Sequence, residues 1–230
     1  MKYLALASLA AIAIASAPAA AQDDDGLYVG VGNGLVQSGD VDFTTTGGDV
    51  TADPDWGWEL EALVGYDLGL VRLEAEAAYK KFDLGALDAG TAGVPASIAV
   101  DGTPQLVFGP QDGVNGDVAV LTGMVNALAD FDAGPVSISV GGGVGMARVD
   151  FSDLRNFDTG PGFLDDGDTR FAWQGIAQLR APLNDRLDAS LKYRYLNAGG
   201  QELTDSIGRT FEADLNTHSI MGTLIFKLAR

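Results

Sequence analysis

Apolar residues recur at every second position over most of the chain, and each alternating segment ends at a cluster of Gly, Asp, Asn or Pro. This period is typical of strands with one apolar face, because an amphipathic helix places its apolar residues three and four apart. Segments of about ten residues exceed the ~5 to 6 of ordinary strands and match the ~9 to 11 that cross a bilayer at a tilt. Eight such segments are predicted, at residues 27–36, 57–67, 71–82, 118–131, 136–151, 169–181, 186–196 and 217–228.

Short and long connections alternate between these segments. This pattern predicts an all-β fold, an eight-stranded antiparallel up-and-down barrel with every long loop at one end. In a transmembrane barrel of the outer-membrane kind, the short turns are periplasmic and the long loops are extracellular. A soluble barrel of the lipocalin kind has the same strand count and stays open as an alternative. The short turns are 67–70, 132–135 and 182–185, and the long loops are 37–55, 83–115, 152–168 and 197–216.

The two faces of each segment favour the membrane barrel. In segment 71–82, Leu73 and Tyr79 share one face, whereas Arg72 and Glu74 share the other. An eight-stranded barrel has an interior just wide enough for side chains, so it would be crowded by the large apolar and aromatic side chains of all eight segments. We therefore predict that the aromatic face contacts lipid and the charged face lines the lumen.

The predicted lumen carries almost equal numbers of acids and bases. Buried ions must pair, so we expect a network of ion pairs that fills the barrel. Inward glycines, such as Gly32 and Gly143, either make room for the long side chains or allow the strands to curve. The predicted network consists of Glu59, Glu61, Arg72, Glu74, Glu76, Lys80, Asp130, Arg170, Arg180, Asp188, Lys192 and Arg194, with Lys227 as a further base.

Aromatic residues lie near both ends of the outward faces, as expected of the girdles that mark the two membrane interfaces. Trp56 also fits a carbohydrate-stacking role, although the girdle is the favoured interpretation. The predicted girdle consists of Trp56, Trp58, Phe171 and Tyr195 toward the loops and Tyr66, Phe131 and Phe226 toward the turns.

The amino-terminal 21 residues have the features of a secretory signal peptide. Lys2 precedes an apolar stretch too short to span a bilayer, and small residues end at Ala21. We predict cleavage after Ala21, which leaves residues 22–230 as one barrel domain. Loss of Lys2 with the leader lowers the formal net charge from −18 to −19.

Most of the unbalanced charge lies in the predicted loops, which hold 19 acids and two bases when Asp117, just beyond residue 115, is counted with the second loop. Such a chain does not attract nucleic acid, which needs a basic face. Divalent cations could bind the acids beside anionic lipopolysaccharide, but a merely solvated surface is favoured, because no spacing matches the twelve-residue calcium loop. The metal expectation is therefore none, with Asp165, Asp166 and Asp168 as a weak candidate. No cofactor is expected.

Several motifs resemble the opacity-protein and OmpA-like outer-membrane β-barrel family, in the porin-family type of alphaproteobacteria. The resemblance covers nearly all of the predicted mature chain and implies adhesion, envelope integrity or a surface-antigen role. Two features depart from the family: Leu228 replaces the usual terminal aromatic residue, and we expect no peptidoglycan-binding domain after the barrel. The motifs include Gly26-Leu27-Tyr28-Val29-Gly30, Gly65-Tyr66-Asp67-Leu68-Gly69, Met124-Val125-Asn126, Phe171-Ala172-Trp173-Gln174 and Tyr193-Arg194-Tyr195.

These features together predict a non-enzymatic protein of the Gram-negative outer membrane. A lipid A deacylase would need a Ser and a His on one face, but His218 and Ser219 are adjacent and point in opposite directions. A narrow diffusion pore for small solutes or ions is the alternative. The expected partners are outer-membrane lipid, lipopolysaccharide, the barrel-assembly machinery during insertion, and an extracellular ligand of the loops.

Overall fold

The computed structural model describes residues 26–99, 102–112, 114–155 and 162–228. The predicted leader, residues 1–21, lies outside these ranges. Within them there is no helix whose length and hydropathy would let it span a bilayer. Thirteen strands are present in the described part of the chain: β1 (Gly26–Ser38), β2 (Val41–Thr45), β3 (Gly48–Pro54), β4 (Gly57–Asp67), β5 (Val71–Asp88), β6 (Val94–Ile98), β7 (Pro104–Val107), β8 (Pro110–Asp112), β9 (Asn115–Ala133), β10 (Val136–Arg155), β11 (Leu164–Asn184), β12 (Leu187–Thr204) and β13 (Thr210–Lys227).

Eight of these strands form a closed antiparallel ring in the order β1, β4, β5, β9, β10, β11, β12 and β13. The first and last strands pair over eleven positions, from Tyr28 opposite Lys227 to Ser38 opposite Thr217. Closure leaves no free sheet edge in the ring, so backbone N–H and C=O groups are satisfied between neighbouring strands. The predicted eight-stranded up-and-down barrel is confirmed.

Three short turns join strands at one end of the barrel, hereafter the turn end. In the first turn, the Leu68 N–H donates to the Val71 carbonyl at 2.9 Å, and Gly69 has a φ of 88°. Gly134 occupies the second turn with a φ of 76°. Only glycine enters this left-handed region without steric cost, which explains its presence at both turns.

The opposite, loop end contains more sheet than expected. The hairpin of β2 and β3 extends the ring, since β2 pairs with β13 and β3 pairs with β5. Strand β8 pairs with the end of β5, whereas β6 and β7 form a separate two-stranded sheet. The predicted long loops 37–55 and 83–115 therefore contain short strands, which were not predicted. The alternation was hard to recognise here, because its apolar residues, such as Val41 and Phe43, are few and lie among Asp, Gly and Thr residues.

Partway along the barrel, the inward face changes from charged to apolar and the outward face changes from apolar to charged. Along β5, Arg72 and Lys80 point inward near the turn end, and Phe82, two residues beyond Lys80, is inward and buried. On the outward face, exposed Tyr79 is followed by Lys81, whose side chain is 38% exposed. The strands thus have a lipid-compatible exterior over the turn half and a water-compatible exterior over the loop half.

The loop half encloses an apolar core like that of a soluble barrel. We call it the loop-end core. It includes Phe43 of β2, whose ring lies 5.3 Å from that of Phe151 and 6.3 Å from that of Phe163. Phe163 also packs edge-on against Phe211, at 5.7 Å. The prediction of a charged lumen along the whole barrel therefore holds only for the turn half.

A segment of the second loop covers the loop-end core. Ala92 and Val94 are buried there, and the Arg209 guanidinium donates to the carbonyls of Ala92 at 2.7 Å and Gly93 at 2.9 Å. The same guanidinium binds the Asp205 carboxylate at 2.7 Å and lies over the Phe211 ring. Arg209 therefore fixes the covering segment to the hairpin that joins β12 and β13.

Replacement of Phe151 by alanine tests the loop-end core. We expect Phe151→Ala to lower the free energy of unfolding by ~3 to 5 kcal/mol, because it leaves a cavity beside Phe43 in a buried apolar cluster. Urea unfolding of the barrel in lipid vesicles measures this loss. Phe108→Ala is the matched control, since Phe108 is 59% exposed at the same end. Equal stability of the two variants would contradict a packed core.

Candidate functional site: the interior of the turn half

Six ionic side chains meet in the middle of the barrel, and we call them the central ionic cluster: Glu59, Glu61, Glu76, Lys80, Lys192 and Arg194. Arg194 of β12 contacts all three carboxylates. Its guanidinium forms a short ion pair with Glu59 and lies 2.5 Å from Glu61 and 2.8 Å from Glu76. One cation thus links side chains from β4, β5 and β12 across the lumen.

The two lysines complete the charge balance of this cluster. Lys80 lies 2.6 Å from Glu59, and Lys192 lies 2.9 Å from Glu61 and 3.7 Å from Glu76. All six side chains are almost fully buried. Three positive and three negative groups therefore sum to zero in a region that water reaches poorly, which is the arrangement that buried ions require.

Neutral polar residues satisfy the remaining acceptors of the cluster. The Thr223 hydroxyl donates to Glu61 at 2.6 Å, and the Asn126 amide donates to Glu76 at 3.3 Å. Gln174 bridges the two sides, since its amide donates to Asn126 at 2.7 Å and to Glu76 at 3.3 Å. The network therefore reaches β9, β11 and β13, and it crosses the lumen completely.

A second group, the turn-end ionic cluster, lies below the first and consists of Asp67, Arg72, Glu74, Asp130, Arg180, Asp188 and Lys227. Arg72 lies 2.6 Å from Asp130 and 3.7 Å from Glu74. Its guanidinium also donates to the Ser139 hydroxyl at 2.7 Å and to the side-chain amide oxygen of Gln178 at 2.9 Å. Arg72 thereby joins β5 to β9, β10 and β11.

The other half of the turn-end cluster is centred on Asp188. Its carboxylate lies 2.6 Å from Arg180 and 3.3 Å from Lys227. Arg180 also approaches Asp67 at 3.7 Å. The Tyr28 ring lies below both guanidiniums, 5.3 Å from Arg180 and 5.9 Å from Arg72. Its hydroxyl donates to Glu74 at 2.8 Å, so Tyr28 connects the two halves.

The structure brings eleven of the twelve predicted network residues into these two clusters and places Arg170 elsewhere. The Arg170 side chain is 37% exposed and pairs with Asp168 at 2.7 Å and Glu202 at 2.8 Å. It has the inward parity of Gln174, but it lies above Ala172, which already belongs to the loop-end core. The assignment of Arg170 to the lumen network is corrected for this reason.

Two residues of the ionic interior, Asp67 and Tyr28, were not predicted from the sequence. Asp67 was assigned to a turn, and one of its oxygens does accept the Gly69 N–H at 2.9 Å. The inward parity of β4, shared with Glu59 and Glu61, was the available signal for Asp67. Tyr28 carries no formal charge, so a search for ionic residues passed over it.

Inward glycines make room for these side chains. A Cβ on Gly32 would lie 2.6 Å from the Thr223 hydroxyl and 2.8 Å from a Glu61 oxygen, and a Cβ on Gly65 would collide with the Tyr28 ring. Glycine is required at these positions because the interior of an eight-stranded barrel has no spare volume. Of the two explanations for inward glycines, space for neighbouring side chains applies here.

The seven predicted girdle residues all lie on the outside of the barrel. Tyr195 is half-buried by its neighbours, and the others are exposed. Trp58 packs against Tyr79 at 5.5 Å near the loop-side edge of the apolar surface. Of the other members, Trp56, Phe171 and Tyr195 lie on this side, and Tyr66, Phe131 and Phe226 lie near the turn end.

Two carboxylates of the weak metal candidate, those of Asp166 and Asp168, form hydrogen bonds that stabilise the fold. Asp166 accepts the Thr204 N–H at 2.8 Å, and Asp168 accepts the Glu202 N–H at 3.0 Å, so both carboxylates bind β12. The hydrogen bond from the Glu202 amide holds the pKa of Asp168 below its usual value. Asp165 is exposed. Among the described residues, no group of three or more acidic or histidine side chains is arranged to hold a metal ion.

His218 and Ser219 occupy opposite faces of β13. His218 is exposed on the outside, where its Nδ1 lies 2.8 Å from the Tyr193 hydroxyl. Ser219 is buried inside, 3.4 Å from Lys80. The barrel wall therefore separates the two side chains, and they do not form a catalytic dyad.

The closed ring, the apolar exterior of the turn half and its ionic interior define an outer-membrane β-barrel protein. The sequence comparison agrees with this class. The outer membrane protein beta-barrel domain family matches residues 7–222, and the chain belongs to that family. No curated protein matches the sequence.

Solved structures share the fold at low sequence identity. Neisserial surface protein A is 14% identical with a TM-score of 0.52, and the match covers 88% of this chain and 97% of that one. Ail, the attachment invasion locus protein of Yersinia pestis, is 13% identical with a TM-score of 0.41, over 88% and 99% of the two chains. The Escherichia coli outer membrane protease OmpT is 8% identical with a TM-score of 0.47, over 90% and 98%. These similarities concern the fold alone.

Loss of Arg194 tests the central ionic cluster. We expect Arg194→Leu to lower the free energy of unfolding by ~3 to 5 kcal/mol, because three buried carboxylates lose their shared cation. Urea unfolding in vesicles, followed by tryptophan fluorescence, measures the change. Arg148→Leu is the control, since its pair with Asp150 is exposed to solvent and contributes little to stability.

A compensating variant separates charge from packing. Adding Glu76→Gln to Arg194→Leu removes the one carboxylate left without a close cation, because Glu59 keeps Lys80 and Glu61 keeps Lys192. We expect this addition to restore part of the lost stability, and no recovery would contradict the assignment of the loss to an unpaired carboxylate.

Proposed function

We propose that this protein is a closed outer-membrane barrel that presents a rigid acidic surface outside the cell, with a role in adhesion, envelope integrity or surface recognition. The observation that carries the proposal is that ion pairs cross the turn half of the interior and apolar side chains pack inside the loop half. We infer that these two levels together close the lumen. Both levels oppose the alternative of a narrow pore.

The ionic level resists opening because its contacts cross the lumen in several directions. An ion that passed Arg194 would have to displace a cation that binds three carboxylates. Movement of Arg194 alone would leave the central ionic cluster with one buried negative charge in excess, at a cost of several kcal/mol. A rotamer change therefore does not open a low-energy path.

The apolar level resists opening for a different reason. Phe43, Phe151 and Phe211 are almost fully buried inside the ring, and Arg209 fixes a covering segment above them. A hydrated ion cannot enter packed apolar side chains without losing its water, which is costly. A path through the barrel would require both levels to rearrange together.

The exterior of the loop half fits a surface role. Asp42, Glu212 and Asp214 are exposed on adjoining strands, and Asp42 lies directly opposite Asp214. Strand pairing holds these carboxylates on a wall instead of a free loop. A rigid acidic wall suits cationic groups of an extracellular ligand, or divalent cations shared with lipopolysaccharide.

The route to this location is part of the proposal. Residues 1–21 would direct export and be removed, and the barrel-assembly machinery would then insert the chain. Phe226 supports this step, since it is exposed on the outer face of β13, two residues before Leu228. It provides the aromatic side chain that Leu228 lacks.

Conductance of the refolded mature chain in planar bilayers tests the closed barrel. We expect no channel openings from protein whose gel mobility changes on heating, which is the mark of a folded barrel. An open porin in the same lipid is the positive control. Steady discrete openings from the folded protein would overturn the proposal in favour of a small pore.

The Arg194→Leu variant distinguishes the two levels in the same recordings. We expect it to stay closed, because the loop-end core does not depend on Arg194. Openings in this variant alone would assign closure to the ionic level.

A further inference from the structure

Asn33 is a polar residue on the lipid-facing side of β1. Its outward neighbours along the strand are Val31 and Leu35, which are exposed, as Asn33 is. It is directly opposite Leu60 of β4 and Gly222 of β13. Between the levels of the two girdles, every other outward residue of the described strands is apolar, aromatic or glycine. Asn33 is therefore an isolated polar group on this wall.

The position of Asn33 along the barrel lies inside the apolar band. Leu35 is directly opposite Trp58 of the loop-side girdle, and Leu27 is directly opposite Tyr66 of the turn-side girdle. Asn33 is two residues from Leu35 and six from Leu27. Lipid headgroups lie at the level of the girdles, so the Asn33 side chain faces hydrocarbon.

The Asn33 amide has hydrogen-bonding groups that its own chain does not use. An asparagine side chain offers two N–H donors and one carbonyl acceptor. Asn33 has no side-chain hydrogen bond to another described residue, and lipid tails provide neither donors nor acceptors. A polar group left unsatisfied in hydrocarbon is costly, and side-chain amides in membranes hydrogen-bond to neighbouring transmembrane segments. The amide therefore needs a partner outside the chain.

A second Asn33 amide is a full complement to the first. When a two-fold axis relates two such side chains, each donates an N–H to the carbonyl oxygen of the other. Gly222 has no side chain beside Asn33, and small residues of this kind allow close approach at membrane interfaces. A symmetric contact uses the same patch twice, so one polar residue on one face is sufficient.

The surrounding face is large enough for such a contact. Outward positions recur every ~6.7 Å along a strand, and strands lie ~4.8 Å apart. The outward positions of β1, β4 and β13 in the apolar exterior, about 14 in all, therefore cover roughly 450 Å² of each barrel. Two copies would bury about 900 Å², which is close to the ~1,000 Å² of a specific interface.

Repulsion between two acidic chains is weak at this face. The outward side chains around Asn33 carry no charge, and Asp214, paired with Asp42, lies eight residues beyond Gly222 along β13. Strands of a transmembrane barrel tilt by ~35 to 45°, so eight residues carry Asp214 roughly 15 to 19 Å around the wall as well as toward the loops. The carboxylates are therefore not stacked above Asn33, and salt screens charges at such distances.

We propose that two copies of this chain form a symmetric dimer in the membrane through the outer faces of β1, β4 and β13, with the two Asn33 amides paired across the two-fold axis. The partner is a second copy because the amide, the apolar face and the absence of charge complement themselves. The proposal depends on the membrane location of the barrel and not on whether the lumen conducts.

Loss of the amide tests the proposed contact. Sedimentation equilibrium of the refolded mature chain in density-matched micelles measures its association. We expect a reversible wild-type dimer and about 10-fold weaker association of Asn33→Leu, because two hydrogen bonds are lost while the apolar surface is kept. Gln37→Leu is the matched control, since Gln37 is also outward on β1 but lies at the boundary, opposite His218. A monomeric wild type, or equal association of Asn33→Leu and wild type, would overturn the proposal.

Disulfide capture in lipid vesicles locates the face independently. The chain has no cysteine, so Asn33→Cys introduces a single one. We expect an oxidant to cross-link folded Asn33→Cys at least 10-fold faster than Val144→Cys, because only the former lies on the two-fold axis. Val144 is 54% exposed on β10, which is four strands from β1 in either direction around the ring. Equal rates for the two variants would overturn the assignment of the contact to β1, and heat-modifiable gel mobility checks that both are folded.

Discussion

The burial of charged side chains, in a narrow lumen surrounded by a bilayer that holds no water, governs this structure. Charged residues of the turn half cannot face lipid, so they point inward, where each needs an opposite charge. Arg194, shared by Glu59, Glu61 and Glu76, is the fullest response to this constraint. The glycines of the inner wall follow from it as well, because a Cβ at Gly32 would occupy the space that Glu61 and Thr223 need.

The same strands satisfy the opposite constraint once they leave the membrane. Beyond Lys80 and Tyr79, water replaces lipid outside the barrel, so the apolar side chains of Phe82 and Leu84 turn to the interior and charged ones face solvent. No break in the strand is needed, since a strand has two faces at every level. One continuous ring therefore combines two halves. The turn half has charged side chains inside and apolar ones outside, and the loop half has apolar side chains inside and charged ones outside. The strands of the turn half continue into the loop half and support it.

Much of this arrangement could be predicted from the alternation of residues within each strand. The parts that could not be predicted are those that depend on the position of a residue along the barrel axis. Parity alone put Glu76 and Lys192 inside, and the structure agrees, because alternation is a property of each strand by itself. Arg170 has the correct parity but lies above the level where the interior becomes apolar, and that level is set by neighbouring strands. The β2 and β3 hairpin was missed because its partners, β13 and β5, are distant in sequence.

Many charged side chains of the lumen are engaged with one another, as Tyr28 and Arg72 are with Glu74. If the lumen is closed as proposed, recognition falls to the outer wall. The wall is different at each level: the Asp42 and Asp214 carboxylates face solvent, and His218 with its ring neighbours faces the boundary with lipid. The ion pairs of the interior stabilise the ring, and the ring sets the spacing of these outer groups. The outer groups are the ones that contact solvent and lipid.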